Sequence, residues 1–317
     1  MPEDIRIRMR ESTDVLLHYF PAHSALADWG KDLESHLSEW IVTHPDAYQE
    51  AVVESFKAGC DFVSTSTQAA SPWRAAVFGM RHKVREHNLV SARLARQVTP
   101  PDRYVAGFVS STNPDFLEPV GSLKPREVYE GYKEQISALL EGGVDVIMVV
   151  GNHVAEAAIA IRVAKDLADV AVVSQNVYYA GHTGFRSMMG HDPATGTRML
   201  LEAGADVVGA SCGLMKAAES TDPRSYYECA ASLVREMRAA TDAPLSIQPN
   251  AGMARLVEGR TVYPATPGEL AQAAPLLLEA GARIVGGCCG TSLEHYRKLH
   301  SVIRGEASRR PPGGARA

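Results

Sequence analysis

Apolar and polar positions along the chain repeat as one recurring unit. The unit is the end of an apolar-faced helix, then a glycine, then in most copies a charged residue, then a run of β-branched and small residues. It occurs at 55–67, 139–151, 200–212 and 277–289. These apolar runs lack the alternation of a half-exposed strand, as expected for parallel strands covered on both faces. The pattern therefore predicts repeated helix–strand units that build a parallel sheet.

Further strand candidates complete a set of eight. They lie at 14–19, 104–109, 170–175 and 244–248. Helices are predicted between the strands, at 46–58, 84–97, 125–141, 153–168, 193–203, 224–240, 267–280 and 292–304. Strands that alternate with helices in this way predict a single (β/α)8 TIM barrel. The alternative is a doubly wound open sheet, which would want a Gly-rich fingerprint after the first strand, and residues 18–30 contain no G-x-G-x-x-G.

Composition places the chain among soluble globular proteins. Apolar residues make up 45% of the 317 residues, enough for one large domain, which we expect over 1–304. The end of the sequence, 305–317, combines Pro, Gly and Arg without apolar periodicity and is predicted to be a flexible C-terminal tail. A net charge of -5 argues against a nucleic-acid partner. Without a secretory segment or a long apolar run, we expect a cytoplasmic protein with no membrane contact.

The cysteines are the first candidates for chemistry. Cys212 follows the sixth predicted strand, and the adjacent pair Cys288 and Cys289 follows the eighth. Because the carboxyl ends of barrel strands form one active-site face, three thiols should meet there. Zinc favours thiolates, and three protein ligands leave a fourth position for substrate. Two alternatives stay open, namely small buried side chains and a redox-active Cys288–Cys289 pair. The other cysteines, Cys60 and Cys229, are predicted to be packing residues.

Several short motifs resemble one known family. They are GGCCGT at 286–291, GADVVGASC at 204–212, QPNAG at 248–252 with TVYP at 261–264, YVAGFV at 104–109 and THPD at 43–46. Over about 14–304 the chain resembles the homocysteine S-methyltransferases, which include the homocysteine-binding domain of cobalamin-dependent methionine synthase and betaine-homocysteine methyltransferase. The resemblance implies one zinc ion per chain, held by Cys212, Cys288 and Cys289. It also implies direct methyl transfer to a zinc-bound thiolate, with homocysteine as acceptor and methionine as product.

The chain departs from the family pattern at four places. The usual D-G-x-x-G-T run after the first strand is replaced by residues 18–23, and Gly151 stands where a glutamate usually ends the fourth strand. Ser211 and Ser66 each replace an asparagine. By the resemblance, the two missing acids would help to hold the amino group of homocysteine. We therefore hypothesise either that the acceptor is a different thiol or that its amine is held in another way.

Candidate substrate contacts lie at the same predicted face. Asn250 could bond substrate or order the zinc site, although an asparagine there could also cap the following turn. The remaining candidates are small or polar residues near strand ends, and they are Gly287, Ser211, Ser66, Asn152, His18 and His23. The stretch 178–193 is long for a loop and rich in Gly and His, which favours a lid or a wall facing the methyl donor.

The methyl donor is not identified by the sequence. The chain ends soon after the eighth predicted strand and contains no D-x-H-x-x-G segment, so we do not expect it to bind a corrinoid alone. The donor would then be a small molecule, such as a betaine, sulfonium or methylated amino acid, or a separate corrinoid protein. Homo-oligomerisation stays open. A rival interpretation is a non-catalytic zinc-binding barrel that serves as a partner protein.

Overall fold

A computed structural model describes residues 2–21, 25–32, 35–113, 115–213 and 223–307 of the chain. The strands are β1 (Leu16–Tyr19), β2 (Phe62–Ser64), β3 (Tyr104–Ser110), β4 (Val146–Gly151), β5 (Ala171–Asn176), β6 (Tyr179–Gly181), β7 (Gly184–Arg186), β8 (Val207–Ser211), β9 (Leu245–Gln248), β10 (Arg255–Val257), β11 (Arg260–Val262) and β12 (Ala282–Gly286). The α-helices are α1 (Ile5–Glu11), α2 (Leu37–Thr43), α3 (Pro45–Lys57), α4 (Pro72–Val77), α5 (Val84–Val98), α6 (Pro125–Glu141), α7 (Val154–Leu167), α8 (Pro193–Glu202), α9 (Pro223–Arg238), α10 (Pro267–Glu279) and α11 (Leu293–Ala307).

Eight of these strands close into a barrel in the order β1, β2, β3, β4, β5, β8, β9 and β12, and β12 pairs back with β1. All of these pairings are parallel, and the helices surround the barrel. The predicted (β/α)8 TIM barrel is therefore confirmed. The last helix, α11, runs to Ala307, so its predicted end at 304 is three residues short, and residues 308–317 of the predicted tail lie outside the described part of the chain.

Helix starts follow the expected capping chemistry. Asp192 accepts a hydrogen bond from the backbone of Thr195 ahead of α8, and proline occupies the first turn of that helix. Thr266 and Glu269 form a reciprocal capping box at α10, again with a first-turn proline. Since these groups satisfy backbone N–H donors that have no partner within the helix, the helices begin at defined residues.

The barrel interior is a packed core rather than a channel. Side chains such as Leu16, Phe62 and Met148 fill it, and the N-terminal helix α1 inserts Ile5 and Met9 into the same cluster. Helix α1 therefore closes the end of the barrel at which the strands begin. A second, larger apolar layer lies between the strands and the surrounding helices. At the opposite end, where the strands finish, the buried side chains include the polar residues His18, Ser64 and Gln175.

Asp61 anchors the closed end. Its carboxylate is fully buried and receives Arg103 at 2.5 Å, Arg304 at 2.8 Å and the backbone N–H of Leu17 at 2.8 Å. These contacts join β1, the start of β3 and α11 at one point. Within the described residues, no helix combines the length and the apolar character needed to cross a membrane.

Candidate metal centre

Three cysteine sulfurs meet where β8 and β12 end. The Sγ atoms of Cys212 and Cys289 are 3.8 Å apart, and those of Cys288 and Cys289 are 3.9 Å apart. All three lie within 4.8 Å of one another. Thiolates bound tetrahedrally at roughly 2.3 Å from zinc would be about 3.8 Å apart. The sulfur spacing therefore fits three ligands of one zinc ion.

A sharp turn directs Cys212 toward β12. Its φ of 55° is in the left-handed region that side chains other than glycine rarely adopt, and Gly213 follows with φ 79°. The backbone N–H of Cys212 donates to the carbonyl of Gln248 at 3.0 Å, which fixes the turn against β9. A Cβ at Gly213 would lie 2.5 Å from the carbonyl oxygen of Tyr178, so only glycine fits there. The rare backbone geometry is thus located at a proposed ligand.

Hydrogen bonds to the end of β9 hold the adjacent pair. The N–H of Cys288 donates to the carbonyl of Pro249 at 2.9 Å, and the N–H of Cys289 donates to Oδ1 of Asn250 at 3.1 Å. The carbonyl of Cys289 accepts from Ala251 at 2.9 Å. Because both backbone units of the pair are bonded, two neighbouring side chains can present their sulfurs to the same point.

The three thiols share one negative charge unevenly. Hydrogen bonds from Cys212 and Cys288 lower the pKa of Cys289, while hydrogen bonds with Cys212 and Cys289, together with burial, raise the pKa of Cys288. The cluster by itself thus favours a single thiolate. A divalent cation would supply the charge needed to deprotonate the others, so this donor set fits a soft metal ion such as zinc.

Asn250 connects the metal centre to the barrel wall. The residue is 6% exposed, its backbone N–H donates to the hydroxyl of Tyr226 at 3.0 Å, and its backbone carbonyl accepts from the hydroxyl of Tyr227 at 3.4 Å. The predicted ordering role for Asn250 therefore has a specific contact, the bond from its Oδ1 to the N–H of Cys289. The alternative of a simple turn cap does not require that bond.

Replacing Asn250 should weaken metal binding. Asn250→Ala removes the acceptor for the N–H of Cys289, so the pair is less well oriented and zinc affinity should fall by about 10 to 100-fold. Competition with a chromogenic chelator measures this change. Asn152→Ala is the matched control, because Asn152 bonds to Ser111 through its backbone N–H, which the substitution keeps, and it makes no hydrogen bond to a cysteine within the described residues. An unchanged zinc affinity in Asn250→Ala would argue against the ordering role.

Two hairpins flank the cysteines. Within the predicted wall at 178–193, β6 and β7 form an antiparallel hairpin. Burial raises the pKa of its Tyr179, and the nearby Cys212 contributes to this shift. The hairpin of β10 and β11 leads into Tyr263, which lies beside Cys289 and helps to lower the pKa of that thiol. Sequence reasoning did not single out Tyr263, although its motif TVYP was a usable signal.

The remaining candidate contacts are at different depths. His18 is fully buried and faces the barrel interior, with Nε2 2.7 Å from Oγ of Ser64. Ser66 is also buried, and its hydroxyl donates to the carbonyl of Pro21 at 2.6 Å. Ser211, at the end of β8, is 2% exposed, and its hydroxyl has no hydrogen-bond partner within the described chain. The hydroxyl of Ser66 is therefore used in a structural contact, whereas the hydroxyl of Ser211 can still form a hydrogen bond to a substrate.

Gly287 and Asn152 lie at the rim of the barrel. The N–H of Gly287 donates to the hydroxyl of Tyr296 at 2.8 Å, which positions the backbone just before the cysteine pair. Asn152 is half-buried after β4. The prediction for His23 falls outside the described residues. Cys60 is fully buried, and Cys229 is half-buried in α9; neither belongs to the sulfur cluster.

Comparisons with known proteins identify the family of the chain. A family model described as homocysteine S-methyltransferase matches residues 22–303. The chain is 26% identical over 274 residues to methionine synthase of Mycobacterium leprae (strain TN), a match that covers 82% of this chain and 21% of that protein. It is also 26% identical over 272 residues to methionine synthase of Mycobacterium tuberculosis (strain ATCC 25618 / H37Rv), with 82% and 22% covered. The chain spans about a fifth of the length of these relatives.

Solved structures share the barrel. The metallated form of the homocysteine methyltransferase MmuM from Escherichia coli superimposes with a TM-score of 0.73 at 18% identity, covering 93% of this chain and 99% of that one. The apo form gives a TM-score of 0.68 at 16% identity, with 94% and 99% covered. At these identities the likeness supports the fold.

Proposed function

The chain belongs to the homocysteine S-methyltransferase family, and from this membership we propose that it transfers a methyl group to a small-molecule thiol at a zinc ion held by Cys212, Cys288 and Cys289. The observation that carries the proposal is the cluster of three sulfurs, all within 4.8 Å of one another, at the end of the barrel where active sites of this fold are built. Three protein ligands also leave a position for the thiol of the acceptor.

The residues of the chain have separate tasks in this reaction. When bound, zinc would lower the pKa of the acceptor thiol so that it stays a thiolate near neutral pH. The turn at Cys212 and the Asn250 bond to Cys289 would orient the ligands, and Tyr263 helps to lower the pKa of Cys289. The hairpins beside the cluster would limit access of water. In the transfer itself, the acceptor sulfur forms a bond to the methyl carbon while the bond between that carbon and the donor breaks. The electron pair of the broken bond leaves with the donor.

Homocysteine is the acceptor that the family name indicates, and methionine would be the product. One observation favours the same transfer to a different thiol. A Cβ at Gly151 would lie only 2.6 Å from Oγ of Ser111. The serine hydroxyl therefore occupies the space that a side chain at the end of β4 would need. The chain thus offers no carboxylate at this position. The donor would reach the mouth as a small molecule or on a separate corrinoid protein.

The test uses the purified full chain. Elemental analysis should find about one zinc ion per chain, and the zinc-edge absorption spectrum should gain one sulfur ligand when an acceptor thiol is added. Two results would contradict the proposal. Absence of stoichiometric zinc together with a titratable Cys288–Cys289 disulfide would support the redox alternative, whereas bound zinc that never accepts a further sulfur would support the non-catalytic barrel.

A further inference from the structure

The barrel interior just below the cysteines consists of uncharged side chains. Strand alternation points one set of side chains toward the barrel axis, and near the strand ends this set includes His18, Phe20, Ser64, Phe108, Val150, Gln175, Ser246 and Gln248. We call this set the upper interior. It contains neither an acid nor a lysine or arginine. The body of any acceptor whose sulfur reaches the cysteines would lie over this surface.

Each polar side chain of the upper interior has at least one hydrogen bond within this set, while Nδ1 of His18 and Oε1 of Gln175 have no hydrogen-bond partner among the described residues. Nε2 of His18 is 2.7 Å from Oγ of Ser64, and Nε2 of Gln175 donates to Oγ of Ser246 at 2.5 Å. The amide of Gln248 donates to the carbonyl of His18 at 3.2 Å. Burial lowers the pKa of His18 to about 3, against a weaker opposing effect of Gln248, so the ring is neutral at physiological pH. This layer therefore presents dipoles and no net charge.

An apolar wall runs around the mouth from Phe20, just after β1, through Phe108 on β3 to Val150 on β4. The rings of Phe20 and Phe108 are stacked, with centroids 4.1 Å apart and an interplanar angle of 10°. Val150 at the end of β4 packs against the same interior cluster. In the closed order of the barrel, β4 is diametrically opposite β12, which carries Cys288 and Cys289. An acceptor bound through its sulfur would thus extend toward aromatic and aliphatic carbon.

Two carboxylates at the starts of helices α7 and α8 form structural contacts. Glu156 is 1% exposed and accepts from the N–H and hydroxyl of Thr112 and from the N–H of Leu117, which ties down the loop after β3. Asp192 caps α8. A desolvated ammonium group is costly unless a carboxylate pairs with it, and the upper interior offers none.

Resting on the proposed function, we infer that the acceptor is a thiol with an uncharged, partly apolar body, without the ammonium group of an α-amino acid. The neutral layer beneath it can solvate a hydroxyl or amide through dipoles, and the Phe20–Phe108 wall suits a short carbon chain. A zwitterionic thiol would lose its hydration at this surface without receiving a counter-charge from the upper interior.

Direct binding to the zinc-loaded full chain tests this inference. Calorimetric titration with 3-mercaptopropan-1-ol and with L-homocysteine compares an uncharged thiol with a zwitterionic one of similar length. We expect the uncharged thiol to bind at least about tenfold more tightly. Homocysteine binding equally well or better would overturn the inference and leave the proposed function standing. Failure of both thiols to bind would overturn the proposed function as well.

A matched pair of variants tests the missing counter-charge. Val150→Glu places a carboxylate on the upper interior, and Val150→Gln places an amide of nearly the same size there. Relative to Val150→Gln, the Glu variant should bind homocysteine at least about tenfold more tightly and 3-mercaptopropan-1-ol no more tightly. Equal homocysteine affinities in two folded variants would count against the inference. The comparison of thiols on the unmodified protein decides the question if either variant does not fold.

Discussion

Cys212→Ala is expected to leave the purified protein without bound zinc and without methyl transfer to thiols. The substitution removes one of three sulfurs that lie within 4.8 Å of one another, and the two that remain are neighbours in the chain. Loss of groups that merely orient a ligand weakens metal binding by about 10 to 100-fold, so loss of a direct ligand should exceed about 100-fold. Elemental analysis after gel filtration measures zinc, and product formation measures transfer.

The control for this experiment is Cys229→Ala. Cys229 lies in α9, outside the sulfur cluster, and packs against the apolar layer between strands and helices. Its substitution removes a thiol of the same chemistry, and zinc content should stay near one ion per chain. The assignment of Cys212 as a ligand fails if Cys212→Ala retains a full equivalent of zinc and full activity. Circular dichroism would show whether either variant is folded.

The barrel could be predicted because its strands are buried on both faces. Runs such as 146–151 and 207–210 contain no polar side chain, and each comes shortly after a helix that ends at a glycine. Gly143 and Gly204 have φ of 87° and 109°, as expected for a left-handed residue at a helix end. The strand assignment also predicted where the cysteines lie, because a residue that directly follows a barrel strand lies at the end of the barrel where the strands finish.

The hairpins at the mouth could not be predicted from the same signals. Strands β10 and β11 have three residues each, too few to show a period, and they are joined by Glu258 and Gly259. Both residues have positive φ, 49° and 76°, which indicates a two-residue turn of the type that usually has Asn-Gly. Glutamate at the first position hides this signal, because side chains other than Asn, Asp and Gly rarely adopt that conformation.

The depth of His18 was also beyond sequence reasoning. All four residues of β1 are buried, so the pattern of apolar and polar positions does not show which face points to the barrel axis. The structure turns His18 inward, where it stacks on Phe62 with ring centroids 4.3 Å apart. A histidine expected near the mouth is therefore part of the neutral layer below it, and this placement has a consequence for stability.

The stability of the barrel should fall in mild acid because His18 cannot take up a proton while it stays buried. Burial lowers its pKa from 6.5 to about 3 in the folded state, whereas the unfolded chain binds the proton near 6.5. Between pH 6.5 and pH 3, each unit decrease in pH lowers the free energy of unfolding by about 1.4 kcal/mol, because only the unfolded chain binds the proton. The stability that depends on a neutral His18 is therefore fully present only above pH 6.5. From pH 7 to pH 5 the loss from this group should be about 2 kcal/mol.

His18→Gln should remove that part of the pH dependence. Glutamine can still bond to Ser64 but does not titrate. Between pH 7 and pH 5 the variant should therefore lose about 2 kcal/mol less free energy of unfolding than the unmodified chain loses. Urea unfolding of metal-stripped protein at both pH values measures the difference without the pH dependence of zinc binding. His82→Gln, at an exposed histidine, should retain the full loss of the unmodified chain. Equal losses of free energy of unfolding in the unmodified chain and in His18→Gln would show that the ring gains a proton without unfolding. The upper interior beneath the cysteines would then carry a charge in acid.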